Sequence, residues 1–173
     1  MGKNISFISI NQIKFGALVW IGKNVYIDAS SKSGVLFANN VTVRENVSIQ
    51  CRSGLNEKGV GLNINEGSFI GPFCKIGIGG AISIGKNVQI GSHCSFNAES
   101  HILKNGNYTT GAYQRLGITI EDNVWVGDGV IILDGVNVGK NSVIGAGSVV
   151  NKSIPSGVIV AGVPARVIRR INA

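Results

Sequence analysis

The chain contains two histidines, and their positions in the sequence point to different roles. His101 immediately precedes a segment rich in glycine, asparagine and threonine. Because histidine is the usual general base near neutral pH, an outward-facing histidine beside a long loop predicts acid–base catalysis. Glu99 could orient the imidazole, and a solvated carboxylate is the equal alternative. His93 stands where asparagine recurs elsewhere in the chain, which indicates a structural turn.

The three cysteines predict neither a nucleophile nor a metal site. Cys74 and Cys94 fall at inward positions of the repeat described below, which favours a role in the core. Cys51, Cys74 and Cys94 are odd in number and far apart, as expected of free thiols in a reducing cytoplasm. Two histidines are too few for a three-histidine zinc site, so no metal is expected.

The composition predicts a folded chain with an affinity for anions. Apolar residues make up 44% of the sequence and charged residues 14%, while the formal net charge is +7. The basic residues are not interleaved with aromatic residues, and no nucleic-acid-binding motif is present. A small phosphate-bearing ligand explains the charge better. No apolar run is long enough to span a membrane, and a cytoplasmic protein is expected.

A six-residue repeat must position the candidate residues. Branched aliphatic residues recur at every sixth position in the second half of the chain, at Ile120, Val126, Ile132, Val138, Ile144 and Val150. This period predicts a solenoid in which each hexad supplies one short strand and one turn. Asparagine, which tolerates positive φ, recurs three residues after the aliphatic, at Asn24, Asn46, Asn87, Asn123 and Asn141. Three such corners every 18 residues predict an all-β triangular prism of parallel strands.

Interruptions of the repeat divide the chain. Residues 1–20 are expected to form an N-terminal cap segment, and residues 21–155 the prism. Residues 102–117 are expected to form a protruding loop. Residues 156–173 are expected to form a C-terminal segment with a short helix that starts near Pro164.

The stretch from Phe69 to Ala173 resembles the galactoside, maltose and related sugar O-acetyltransferases of the hexapeptide-repeat family. The resemblance rests on His101 with Lys104-Asn105-Gly106, on Ile118 to Gly127, on Val143 to Val150 and on Val160 to Arg169. It implies a left-handed parallel β-helix, a homotrimer, and acetyl-CoA bound in a groove between neighbouring subunits. Outward apolar residues such as Trp125, Ile131, Val143 and Val149 agree with an oligomer.

The same resemblance implies roles for individual residues in direct acetyl transfer. His101 takes the proton of an acceptor hydroxyl, whose oxygen attacks the thioester. The turn at Gly127-Asp128 directs a backbone N–H at the developing oxyanion. Ala146 lies beside the pantetheine arm of the cofactor.

Three basic residues and one tryptophan complete the implied cofactor site. Lys152, Arg166 and Arg169 match the family's contacts to the phosphates of CoA, although a solvated face is the alternative. Trp125 faces outward, and its spacing from His101 favours a wall of the site. Ordinary surface or a trimer interface is the alternative for Trp125.

The sequence therefore predicts an acetyl-CoA-dependent O-acetyltransferase. Its acceptor is expected to be a hydroxyl of a sugar or of a bacterial surface polysaccharide precursor, with no nucleic acid, membrane insertion or metal involved. The alternatives are acetylation of an antibiotic, an amino acid or a sugar amine, and a non-catalytic β-helix scaffold.

Overall fold

The computed structural model describes residues 1–54, 57–104 and 107–171, which wind into a prism with three faces of short parallel strands. The first face contains Ser6–Ile8, Tyr26–Asp28, Ser48–Gln50, Lys75–Gly77, Ser95–Asn97, Ile131–Leu133 and Val149–Val150. The second face contains Ile13–Phe15, Val35–Phe37, Gly61–Ile64, Ala81–Ile84, Ile118–Ile120 and Asn137–Val138. The third face contains Trp20–Ile21, Thr42–Val43, Phe69–Ile70, Gln89–Ile90, Trp125–Val126, Val143–Ile144, Val158–Ala161 and Arg166–Arg170.

The corner between the first and second faces also carries the less regular elements of the described chain. A 3-10 helix spans Ile10–Gln12. A short hairpin pairs Arg52–Gly54 with Glu57–Lys58, and a long hairpin pairs Ser100–Lys104 with Asn107–Gln114. The other two corners, second–third and third–first, are tight turns.

Hydrophobic ladders fill the interior because equivalent residues of successive coils stack on one another. On the third face, one inward ladder runs through Ile21, Val43, Ile70, Ile90, Val126, Ile144 and Val160, each at most 2% exposed. Burial of such branched side chains contributes about 1.5–3 kcal/mol each. The six-residue period therefore sets the strand register, since a slip of one residue would turn each aliphatic side chain outward.

The corners confirm the prediction made from the asparagines. Asn24, Asn46, Asn87, Asn123 and Asn141 have φ between 54° and 59°. At the second–third corner the Asn123 amide donates to Asn141 Oδ1 at 3.2 Å, and the Asn87 amide donates to Asn123 Oδ1 at 3.4 Å. His93 takes the same conformation, with φ of 57°, at the third–first corner. The parallel strands and repeated corners fit a left-handed β-helix.

The N-terminal residues, expected to form a cap over the prism, contribute strands to it. Ser6–Ile8 pairs with Tyr26–Asp28, and Ile13–Phe15 pairs with Val35–Phe37. The first coil therefore starts before Ile21, although its sequence lacks a clear hexad pattern. Phe7 and Phe15 pack edge to face at 6.2 Å between ring centroids, so aromatic residues replace the usual aliphatic ladder there.

The expected C-terminal helix is wrong. Arg166–Arg170 is an exposed strand that pairs antiparallel with Val158–Ala161. The open edge of the third face offers unpaired backbone groups, and a returning strand satisfies them, whereas a helix would leave them exposed. The β-branched residues Val167 and Ile168 also favour the extended conformation.

The predicted loop at residues 102–117 is largely the long hairpin, which starts at Ser100 and ends at Gln114. Residues 105–106 of that loop, residues 55–56, and residues 172–173 of the C-terminal segment lie outside the described residues. Within the described part of the chain, no helix has the length and apolar character needed to cross a membrane.

Candidate functional site

The long hairpin presents His101 at the first–second corner. The hairpin leaves the prism after Ser95–Asn97 of the first face and returns before Ile118–Ile120 of the second face. His101 pairs with Tyr113 across the hairpin, and their ring centroids lie 4.8 Å apart at an interplanar angle of 44°. The side chain of His101 is exposed, as the sequence predicted. An imidazole held against a partly buried aromatic ring and open to solvent can reach an incoming hydroxyl.

Arg115 connects both hairpins at this corner. Its Nε donates to Glu99 Oε2 at 2.5 Å, and its Nη2 donates to Glu57 Oε2 at 2.7 Å. Its guanidinium carbon lies 5.6 Å from the centroid of the Tyr113 ring, within the range of a cation–π interaction. Burial opposes the charged form of Arg115, but the hydrogen bonds and charges of Glu99 and Glu57 outweigh it and raise its pKa.

Sequence reasoning missed Tyr113 and Arg115, and it named Glu99 without its arginine partner. Arg115 is 16 residues from Glu99 and 58 residues from Glu57, so the register of the hairpins is needed to bring the three together. A basic residue at the end of a loop that begins with an acidic residue was the available signal. The signal is weak because surface loops commonly contain both charges.

Trp125 lies on the third face, away from His101. It pairs with Gln89 on one side and Val143 on the other, and it is 60% exposed. The inward Val126 next to it anchors the strand, so that alternation of the strand directs the indole outward. Trp125 therefore supplies an apolar outer surface to the third face.

The turn at Gly127-Asp128, at the third–first corner, follows Trp125-Val126 directly. The Gly127 N–H donates to the carbonyl of Ile144 at 2.8 Å and is used in the sheet. The Asp128 N–H takes part in none of the hydrogen bonds found among the described residues. Of these two backbone N–H groups, that of Asp128 remains able to donate to a bound anion.

The Asp128 carboxylate secures this turn against the preceding coil. Its Oδ1 accepts hydrogen bonds from the Ser92 N–H at 2.6 Å and the Ser92 hydroxyl at 3.0 Å. These bonds, of which the one from the Ser92 backbone has the larger effect, lower the pKa of Asp128.

Ala146 is exposed in the equivalent turn of the next coil. A Cβ on Gly127 would approach the Ala146 nitrogen to 2.7 Å. The small residues thus keep this corner narrow.

The three basic residues divide between two surfaces. Arg166 and Arg169 lie on the edge strand of the third face, opposite Ala161 and Ile159. Lys152 follows Val149–Val150 and lies at the first–second corner. All three are exposed, and none forms an ion pair with another residue whose side chain is described.

The structure therefore places the predicted site residues in two groups. The corner group contains His101, Glu99 and Lys152 at the first–second corner. The face group contains Trp125, Gly127, Asp128, Ala146, Arg166 and Arg169 on the third face and the adjoining third–first corner. In a triangular prism the first–second corner is opposite the third face, so the groups of one chain cannot meet. Within the described residues, no group of three histidine, cysteine or acidic side chains could hold a metal ion.

Comparison with known sequences identifies the repeat. Residues 117–152 match the family described as bacterial transferase hexapeptide (six repeats). The chain is 46% identical over 91 residues to the galactoside O-acetyltransferase of Escherichia coli, and this alignment covers 53% of the chain and 45% of that protein. The chain thus spans about half the length of the curated relatives it matches.

Comparison with solved structures extends the similarity over nearly the whole chain. A maltose O-acetyltransferase from Clostridium difficile matches with 31% identity and a TM-score of 0.64, over 90% of this chain and 72% of that one. A galactoside acetyltransferase in complex with coenzyme A matches with 28% identity and a TM-score of 0.56, over 94% of this chain and 68% of that one. An N-acyltransferase from Bacillus cereus, at 22% identity and a TM-score of 0.68, shares the fold.

Proposed function

Because this chain belongs to the hexapeptide-repeat acetyltransferase family, we propose that it transfers the acetyl group of acetyl-CoA to a hydroxyl of a sugar acceptor. The observation that carries the proposal is the exposed His101, held against Tyr113 at the base of a hairpin. The names of the matched galactoside and maltose enzymes support a sugar acceptor. A sugar of a bacterial surface polysaccharide precursor, made in the cytoplasm, is the specific acceptor class we propose.

His101 acts as the general base in a direct transfer. The imidazole takes the proton of the acceptor hydroxyl while that oxygen bonds to the thioester carbon. The carbonyl oxygen becomes an oxyanion, to which the Asp128 N–H donates. The C–S bond then breaks, and the sulfur leaves with the proton that the imidazolium returns. Cys51, Cys74 and Cys94 are buried, which agrees with a mechanism without a thiol nucleophile.

Tyr113, Arg115 and Glu99 act as positioning residues for His101. Arg115 fixes Glu99 just before the outgoing strand, two residues before His101, and lies over the ring that contacts the imidazole. Fixing both strands at the base of the hairpin holds the imidazole at one position along the prism. Such positioning matters because a displacement of about 1 Å can cost ~100-fold in rate.

The corner group and the face group belong to one active site in different subunits of a homotrimer. Their separation on opposite sides of the prism supports this arrangement, since only a second copy can bring a third face against His101. Exposed apolar side chains on the third face, among them Trp125 and Trp20, supply the surface for that contact.

Acetyl-CoA lies along the face group. Trp125 forms a wall of the site, and the exposed, small Ala146 leaves room for the pantetheine arm. Arg166 and Arg169, with Lys152 from the neighbouring subunit, bind the phosphates through charge-assisted hydrogen bonds. In this proposal acetyl-CoA is a substrate, the donor of the acetyl group.

Thiol release from acetyl-CoA across a panel of sugars, amino acids and antibiotics tests the activity directly. Acetylation of a sugar hydroxyl, located by nuclear magnetic resonance of the product, is expected. Transfer confined to amino acids or antibiotics, or the absence of both transfer and coenzyme A binding, would refute the proposal.

Mixed oligomers test the shared site. His101→Ala and Trp125→Ala/Arg166→Ala chains should each have little activity alone. After co-expression, about a quarter of the interfaces should combine an intact His101 with an intact third face and regain activity. Mixtures no more active than their components, or a stable monomer at micromolar concentration in sedimentation, would contradict the intersubunit arrangement.

A further inference from the structure

Three lysines converge on one cavity that the proposed mechanism does not use. Lys14, Lys32 and Lys58 line a shallow cavity of about 490 Å³ at the first–second corner. The rest of its lining is polar or small and consists of Gln12, Ser31, Ser33 and Gly34. All three lysines are exposed, so their ammonium groups are accessible to a ligand from solvent. We call this cavity the lysine pocket.

Backbone contacts assemble the lysine pocket from three separate segments. Lys14 lies in the strand Ile13–Phe15, which pairs with Val35–Phe37. The Lys32 N–H donates to the Gly59 carbonyl at 2.9 Å, which joins the segment before Val35 to the residue after Lys58. Gly34 has φ of 74°, and a Cβ there would collide with the Gln12 carbonyl oxygen. The close approach of these segments makes the convergence of the lysines a property of the fold.

The positive charge of the pocket is not balanced by the protein. None of the ion pairs among described side chains includes Lys14, Lys32 or Lys58. The carboxylates of the adjoining segments are engaged, since Glu57 accepts from Arg115 at 2.7 Å and Asp28 accepts from the Ser30 N–H at 3.0 Å. Like charges that share a cavity repel one another, and a multivalent anion relieves that repulsion.

The lysine pocket and His101 lie at the same corner of the prism, but the pocket belongs to coils nearer the N-terminus. Lys58 is in the short hairpin, whose Glu57 is joined by Arg115 to the base of the long hairpin. Lys14 lies in the first coil. Lys32 lies in the second coil, and the short hairpin projects from the third coil. The long hairpin projects from the fifth coil. With coils about 4.8 Å apart, the backbone of the pocket is roughly 10–19 Å along the prism from the level of His101. Lysine side chains are long and flexible, so they shorten the distance that the phosphate or diphosphate of an extended acceptor has to cover.

We propose that the lysine pocket binds a phosphate or diphosphate group of the acceptor while the acceptor's sugar hydroxyl reaches His101. The inference rests on the proposed acetyl transfer and adds the chemical class of the acceptor. Three separate ammonium groups and the Ser33 hydroxyl suit an anion with several oxygens, and lysine binds phosphate as a compact charge. The phosphates of CoA are assigned to Arg166 and Arg169 on the third face, so the pocket serves a different ligand.

Pyrophosphate binding tests the pocket without catalysis. Calorimetry is performed at saturating coenzyme A, so that the cofactor's phosphate contacts are occupied. The Lys14→Gln/Lys32→Gln/Lys58→Gln variant should bind pyrophosphate at least about tenfold more weakly than the unmodified chain, with a smaller salt dependence. Lys86→Gln/Lys140→Gln removes two exposed lysines at the second–third corner and should leave the affinity unchanged. Equal affinities in all three proteins, or no binding to any, would overturn the proposal.

Kinetics with matched acceptors distinguish the sources of the phosphate. A free sugar, its 1-phosphate, a nucleoside diphosphate sugar and a sugar diphosphate on a short lipid are compared by thiol release. The triple lysine variant should raise KM for the phosphorylated acceptors at least about tenfold, with kcat and the free-sugar KM unchanged. The acceptor with the lowest KM identifies the natural carrier. Equal KM for free and phosphorylated sugars would reject the phosphate assignment, whereas pyrophosphate binding without transfer to any sugar would reject the proposed activity alone.

Discussion

The second–third corner and the first–second corner of the same prism differ in regularity. Four residues join successive strands at each described second–third corner, as at 121–124 and 139–142. At the first–second corner the connection varies from three residues at 78–80 to twenty at 98–117. We call the first–second corner the variable corner, and the other two, where four residues join successive described strands, the uniform corners. His101, Arg115 and the lysine pocket all lie at the variable corner. The proposed base and the lysine pocket therefore lie where the repeat is interrupted, whereas Trp125 and Asp128 lie in its regular strands and turns.

The prism tolerates these interruptions because the flanking strands keep their register. Phe96 still stacks on Ile132, and Ile84 on Ile120, on either side of the twenty-residue connection. The entropic cost of closing a longer loop grows only slowly with its length. The uniform corners maintain the stack, and the variable corner carries the groups that differ from coil to coil.

The largest expected effect separates the two histidines. His101→Ala should lower kcat by ~10²–10⁴ while the fold and acetyl-CoA binding persist. His93→Asn, at a uniform corner with φ of 57°, should leave kcat nearly unchanged, since asparagine occupies such corners elsewhere. Its melting temperature should fall only slightly, through loss of the stacking between His93 and Phe73 at 4.9 Å. Thiol-release kinetics and calorimetry measure both. Wild-type kcat in His101→Ala would exclude the histidine as the base.

A substitution at a positive-φ position of a uniform corner should have the next largest effect, and that effect is on the free energy of unfolding. Asn123→Val places a β-branched residue at φ of 58° and removes the amide bonds to Asn87 and Asn141. A loss of about 1–3 kcal/mol in the free energy of unfolding is expected in urea denaturation. Asn123→Gly is a control that keeps the positive φ, and Asn97→Val is a control at an exposed strand residue whose φ is not positive. Both should lower the free energy of unfolding clearly less than Asn123→Val. Equal losses in all three would show that the corner conformation is not limiting.

Arg115 tests whether the variable corner needs its ion pairs for activity. Arg115→Met leaves Glu99 and Glu57 without the guanidinium and should lower kcat about tenfold, with KM for acetyl-CoA unchanged. Arg115→Lys should restore part of kcat, because a single ammonium can pair with Glu99 but cannot reproduce the fork. A fall in stability with unchanged kcat would assign Arg115 to the fold alone.

The smallest effect concerns pH and the turn at Asp128. Hydrogen bonds from Ser92 hold the pKa of Asp128 below its ordinary value of 3.8. The stabilisation is therefore complete above that value and disappears as the pH falls through the lower pKa of the folded state. Asp128→Asn should melt slightly below the unmodified chain at pH 7, and the difference should shrink below about pH 4. A difference that stays constant down to pH 2 would show that ionisation of Asp128 does not stabilise the turn.

Local signals explain which parts of the structure were predictable. The hexad pattern and the corner asparagines can be read from short stretches of sequence, without knowing which coils are in contact. Both predictions are confirmed. The exposure of His101 and Trp125 followed from the same pattern. The C-terminal strand was mistaken for a helix because Pro164 at a first turn is a local signal, whereas the open edge of the third face is a tertiary one.

The sequence by itself determined the prism. Its six-residue period places an aliphatic residue at the same inward position of every strand, and only one register of the strands buries all of these side chains. Only the tertiary structure decided how the interruptions meet. It joined Glu57, Glu99 and Arg115, gathered three lysines around one cavity, and separated His101 from the third face. These contacts link residues far apart in the chain, and their geometry follows from which coil and corner each residue occupies, since no local pattern encodes a distance between coils.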